Sequence, residues 1–189
     1  GDNGNEPIRL SNGAEATYVA RTVVEHCYWS NTGRGDSESI SVKCRQNVLR
    51  YNTFVNQQDA MLVFRNGNDN VAYGNFFIGA GGIRVKEASN VYCYNNYFER
   101  SGVGGTMNAV KYDYVSPNLQ NVNFIHNTFV ESGLIDLGGS GATANTWANN
   151  LFKKSSGAIF ANPNDGTAWA GNLYEGTLGI SIPSGMTPA

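Results

Sequence analysis

At intervals of about 22 residues along this chain an Asn stands two residues ahead of an aromatic ring. The pairs are Asn52 and Phe54, Asn75 and Phe77, Asn96 and Phe98, Asn127 and Phe129, Asn150 and Phe152, and Asn172 and Tyr174. Cys27 and Trp29 hold the same register one repeat upstream. Successive marks lie 25, 23, 21, 31, 23 and 22 residues apart. A second Asn precedes most of them by five or six residues: Asn47, Asn70, Asn90, Asn121 and Asn145. Between the marks run short apolar or alternating stretches such as Ile40-Ser41-Val42, Leu62-Val63-Phe64 and Ile83-Arg84-Val85. They are too short for helices and are bounded by Gly and Asn turns. A period near 22 residues with several strands per repeat predicts an all-β parallel β-helix, a solenoid of about seven rungs. Leucine-rich repeats have a similar period but need a Leu framework that is absent here.

Stacking explains the Asn column. An inward amide on each turn can hydrogen-bond the amide or backbone one rung away, while the aromatic two positions on faces the same way and stacks. Asn also tolerates the left-handed backbone that tight corners require. Composition agrees, since 25 Asn and 23 Gly are poor material for helices. The long step between Asn96 and Asn127 marks an inserted loop, placed at 101–105 and 114–117. His26 and His126 share one repeat position, just before the column residue, which argues for a turn role. Cys27, Cys44 and Cys93 are expected to be unpaired thiols, because three rungs separate Cys27 from Cys93.

A net charge of −2 with 15% charged residues excludes a globally basic nucleic-acid binder. No apolar run approaches the ~18 residues of a membrane span. On the first strand of each rung, however, Lys43, Arg65, Arg84 and Lys111 fall in four successive repeats. Lys43 and Arg65 are one turn apart, which makes them neighbours at about 5 Å. A basic column on a nearly neutral rod suits a linear polyanion, because the rung spacing is close to the length of one sugar unit. Asp36 and Glu38 stand shortly before Lys43, and carboxylates there offer oxygen donors to a hard cation such as Ca²⁺.

These residues carry a family resemblance. Asp36-Ser37-Glu38-Ser39-Ile40-Ser41-Val42-Lys43, Asn47-Val48-Leu49-Arg50-Tyr51-Asn52-Thr53-Phe54 and Phe64-Arg65-Asn66-Gly67-Asn68 resemble polysaccharide lyase family six, the alginate lyases and chondroitinase B. Asn3-Gly4-Asn5-Glu6-Pro7-Ile8-Arg9 and Gly81-Gly82-Ile83-Arg84-Val85 fit the same pattern, the latter closer to the alginate lyases. The resemblance implies a right-handed parallel β-helix that cleaves an acidic uronate polysaccharide, alginate first, by Ca²⁺-assisted β-elimination. It implies Lys43 as general base and Arg65 at the leaving oxygen. Asn3, Asp36 and Glu38 would hold the metal, and Arg84, Lys111, Asn66 and Tyr112 would bind substrate. Tyr112, Tyr114 or water would return the proton. Two positions depart from the pattern: Asn66 replaces the usual His after the Arg, and Asp36 the usual Glu. Two alternatives stay open, a chondroitin or dermatan sulfate lyase and a non-catalytic β-helix gripping acidic polysaccharide. The expected organisation is one β-helix domain over 1–189, cut at both ends from a longer family fold, with open ends through which it can associate. The expected location is secreted or periplasmic, in a bacterium, because uronate polymers lie outside the cytoplasm.

Overall fold

The computed structural model describes residues 6–12, 16–32, 37–57, 60–103, 107–113, 119–138, 142–163 and 166–189. They form strands and turns with no helix, coiled into a parallel β-solenoid of about six turns. Three parallel sheets of seven, seven and eight strands make its walls. Seven stacked strands enclose six repeats, so the expected seven rungs and the observed turns agree. The first sheet runs through Ile8–Leu10, Glu38–Val42, Met61–Arg65, Ile83–Lys86, Val110–Asp113, Ile135–Asp136 and Phe160–Ala161.

Each wall sends alternate residues into one continuous core. From the third sheet, Phe54, Phe77, Phe98, Phe129 and Phe152 stack in register, with centroids 4.8, 4.8, 4.4 and 5.2 Å apart and planes within 13° of parallel. Strand spacing alone sets this repeat, because strands ~4.8 Å apart place rings at stacking distance without further adjustment.

The Asn ladder lies beside the rings. Asn52, Asn75, Asn96, Asn127, Asn150 and Asn172 are all buried, and each Oδ1 from Asn75 onward accepts from the backbone N–H and amide of the Asn one rung before. Their Nδ2 atoms also donate to backbone carbonyls, as Asn75 does to Leu49 O at 2.9 Å. A buried corner that would strand polar groups is thereby satisfied. Cys27 begins the ladder only as a backbone donor, to Asn52 Oδ1 at 3.1 Å.

The left-handed backbone belongs to the residue before each ladder Asn. His26, Tyr51, Gly74, Asn95, His126, Asn149 and Gly171 all have φ between 53° and 63°. That confirms the turn role of both His and corrects the idea that the ladder amides themselves sit at left-handed corners. The second Asn series splits. Asn47, Asn70 and Asn145, five residues ahead of the ladder, are buried; Asn90 and Asn121, six ahead, turn outward with φ of 55°. These two sit one position earlier in an unshifted register, at the left-handed turn that Gln46, Asp69 and Ala144 occupy in the other rungs with φ of 61°, 60° and 55°. Cys27, Cys44 and Cys93 are free thiols. Parts of the inserted loop, 104–106 and 114–118, lie outside the described residues, yet Phe98 and Phe129 remain in register across it.

Candidate active site

The first sheet's outer face is built around Glu38–Val42. Ile40 and Val42 point into the core, so Ser41 and the next residue, Lys43, point out. Val42 lies opposite Phe64, which carries Lys43 and Arg65 out side by side, one strand spacing apart. The register then departs from the expected single column. Arg65 is opposite Lys86, not Arg84. Arg84 is opposite Val63 on one side and Lys111 on the other. The basic residues therefore occupy two adjacent columns, Lys43-Arg65-Lys86 and Arg84-Lys111. Lys86 was hidden because the steps between these strands are uneven, 22, 21 and 27 residues, which position counting cannot resolve.

Glu38 reaches the same face through a defect. With regular alternation it would share the inward direction of Ile40 and Val42. A bulge puts Glu38 opposite Met61 and Ile40 opposite Leu62, so two residues on one strand face one on the next. The extra residue re-aims the side chain. Arg65 Nη1 donates to Glu38 Oε1 at 3.0 Å, and the Glu38 side chain is only 3% exposed. Glu38 Oε2, Ser39 Oγ and Ser41 Oγ are buried without a hydrogen-bond partner among the described residues.

The basic face also carries its own acids. Lys43 Nζ lies 3.6 Å from Glu6 Oε1, and Arg9 Nη2 donates to Glu6 Oε2 at 2.7 Å. The Arg9 hydrogen bond, against an opposing contribution from burial, holds the Glu6 carboxyl below the usual range. Arg84 Nη2 donates to Asp113, and Nη1 reaches Ser37 Oγ at 3.5 Å, tying the start of the Glu38 strand to a later rung. Burial raises the Asp113 carboxyl, but Arg84, Lys111 and Lys86 together outweigh it and hold it low. Lys111 stands opposite Asp136. The surface is thus a row of ion pairs with surplus positive charge, not a bare basic stripe. Neither Glu6 nor Asp113 was singled out from the sequence. The register and a contact across 37 residues of chain bring them in.

Asn66, at φ 61°, turns the chain out of the strand, and its Nδ2 donates to Glu87 Oε2 at 2.5 Å. With Asn68, Asn90 and Gln120 it lines an open polar hollow of about 360 Å³. Tyr112 is a correction. It follows Lys111 by one residue and so points inward, opposite Val85. It is 1% exposed and accepts from Trp147 Nε1 at 3.1 Å. It cannot meet a substrate on the face, and burial pushes its phenol far above the usual range. Asn3, Asp36 and Tyr114 lie outside the described residues. Among those described, no group of three or more His, Cys, Asp or Glu forms a metal cage. Glu38 fits one ligand of such a site: a buried carboxylate oxygen with no other partner there is the hard donor Ca²⁺ takes.

The model of the chondroitinase B family matches residues 1–110. No curated protein matches the chain. Among solved structures, the PL6 family alginate lyase AlyGC superimposes with a TM-score of 0.85 at 25% identity, over 99% of this chain and 28% of that one. A mannuronic acid specific polysaccharide family 6 lyase from human gut microbiota gives 0.77 at 25% identity, over 100% of this chain and 49% of that one. Alginate lyase AlyF-OU02, at 14% identity and a TM-score of 0.63, shares the fold. The chain spans about a quarter to a half of the length of these proteins. The matched segment holds Glu6, Glu38, Lys43, Arg65 and Arg84, the groups that the coil gathers on one face. By that match the chain belongs to the chondroitinase B family, in the fold of the family six polysaccharide lyases.

Proposed function

We propose that the chain carries the catalytic face of a polysaccharide lyase that cleaves alginate by β-elimination. The observation that carries this reading is the amine of Lys43 and the guanidinium of Arg65 leaving adjacent rungs on the same outer face, with the Glu38 carboxylate held against the latter. The alginate lyases that superimpose over nearly the whole chain support the substrate.

The Lys43 amine takes the proton from C5 of a uronate residue. The electron pair left behind forms the C4–C5 double bond as the C4–O glycosidic bond breaks. With Tyr112 inside the coil, Tyr114 or water returns the proton to the leaving oxygen. Arg65 serves as a charge clamp rather than an acid, because a guanidinium does not give up its proton near neutral pH. Its ion pair with Glu38 fixes the fork in a defined direction. Arg84, Lys111 and Asn66 extend the face along the polymer, with Arg84 held in place by Asp113. Asn3, Asp36 and Glu38 are the residues proposed to hold Ca²⁺. Bound there, the ion would neutralise the substrate carboxylate, whose charge otherwise opposes carbanion character at C5.

A second reading rests on the name of the matching family: a chondroitin or dermatan sulfate lyase. Incubation with each polymer separates the two, because elimination leaves a conjugated double bond that absorbs in the ultraviolet and simple binding does not. Product from alginate is expected. Product only from dermatan sulfate moves the substrate to the second reading, and product from neither contradicts the lyase reading.

A further inference from the structure

Glu6 takes no part in the bond-making steps of the proposed reaction, yet it is one of the most enclosed charged side chains on this face. Its carboxylate is 4% exposed and is shared between two cations: Arg9 Nη2 at 2.7 Å and Lys43 Nζ at 3.6 Å. The two differ in setting. Arg9 is 41% exposed, so its charge is largely hydrated, whereas the Lys43 side chain is 11% exposed and has Glu6 as its carboxylate partner. The backbone sets the same geometry, since the N–H of Lys43 donates to Leu10 O at 2.8 Å, two residues beyond the Ile8 that follows Pro7. The first strand thus holds the main chain of Lys43, and the residues leading into it hold the amine.

We infer that Glu6 is the positioning residue of the Lys43 amine, an inference that rests on the lyase reading above. A four-carbon stem leaves an unheld amine many rotamers, and proton transfer needs one of them. Glu6 removes that freedom from one side. When the amine takes the C5 proton, a C–H bond breaks, an N–H bond forms and an ammonium appears. The Glu6 carboxylate already stands where that positive charge develops, so no reorganisation is needed to balance it. Arg9 fixes the second oxygen of Glu6 and keeps the first one turned towards Lys43. The arrangement parallels a carboxylate behind a catalytic histidine, with the acid orienting the base and never exchanging a proton itself.

The experiment compares the chain with Glu6→Gln and Glu6→Asp, the fold of each checked by circular dichroism. Brief acetic anhydride labelling, read lysine by lysine by mass spectrometry, reports the amine without requiring turnover. Labelling of Lys43 rises severalfold in Glu6→Gln while Lys86 and Lys111 are unchanged. On alginate, kcat falls by ~10²-fold with KM within about twofold, and Glu6→Asp, one methylene short but still charged, recovers part of the loss. Lys43 labelling and kcat both equal to the parent overturn the inference. So does a raised KM with kcat preserved, which makes Glu6 part of polymer binding. If the parent releases no unsaturated product from any uronate polymer, the lyase reading fails on its own, and the labelling still decides whether Glu6 holds the amine.

Discussion

Replacing Asn96 by Ala removes one step of the ladder that closes every turn of the coil. Asn96 Oδ1 accepts from Asn75 N at 3.1 Å and from Asn75 Nδ2 at 3.0 Å, while its Nδ2 donates to Ala72 O at 3.1 Å and Asn127 Oδ1 at 3.0 Å. Some partners keep a second bond: Asn75 Nδ2 still reaches Leu49 O, and Asn127 Oδ1 still accepts from Asn96 N. The Asn75 N–H loses its ladder acceptor in a site closed to water, which costs about 1–3 kcal/mol, and the other three bonds add about half to one each. The sum is about 4 kcal/mol, a large share of the ~5–15 kcal/mol that stabilises an ordinary domain. For a chain of this size it lowers the thermal midpoint by about 10 °C. Asn95→Gly, one residue earlier, is the control. Asn95 is exposed at φ 53°, a conformation that Gly adopts freely, so a change within ~0.5 kcal/mol is expected. Urea denaturation followed by circular dichroism, with midpoint and slope both fitted, measures each variant. A loss below ~1 kcal/mol for Asn96→Ala, or one no greater than the control's, would refute the reasoning.

Tyr112→Phe strands the buried Trp147 Nε1 donor, so it should cost about 1–3 kcal/mol in denaturation and leave KM for polymer unchanged. Unchanged stability with impaired turnover would return Tyr112 to the site. Acid should weaken the fold. Glu6, held low by Arg9, Asp69, held low by Asn90 and Arg45, and Asp113, held low by Arg84 against burial, all have carboxyls below the usual range. Their stabilisation is complete above the unfolded values of about 3.9–4.3 and is lost as pH falls through the lower folded values. The urea midpoint should therefore hold steady down to about pH 5 and fall below about pH 4; a midpoint that rises on acidification contradicts these pairings. Exhaustive chelation should slow alginate cleavage while circular dichroism stays constant, and an unchanged rate would remove the metal from the proposal.

The coil was legible because its repeat is written in side chains that serve only that purpose. An Asn followed two positions later by Phe is meaningless for a helix, but it sets amide on amide and ring on ring when strands stack. Lys43 and Arg65 were legible as neighbours because their 22-residue spacing equals one turn. Register beyond them was not. Arg84 and Lys86 lie two residues apart, and only the pairing of Arg65 with Lys86 shows which belongs to which column. The same limit hid Tyr112, where one residue of offset exchanges core for surface. The direction of Glu38 depended on a bulge, a local defect that leaves no mark in the alternation of Ser39-Ile40-Ser41-Val42. Glu6 lay in a segment already noted for its pattern, but its tie to Lys43 crosses 37 residues and arises only when the first two rungs stack.

Lys43→Ala, assayed on alginate beside the parent chain, tests the proposed chemistry most directly. The account predicts that the variant keeps the β-sheet spectrum and most polymer binding while the unsaturated product disappears, since Lys86, the amine on the other side of Arg65, stands on the next rung, away from the strand that carries Glu38 and Lys43. A variant that releases the same product at the parent's rate would contradict it.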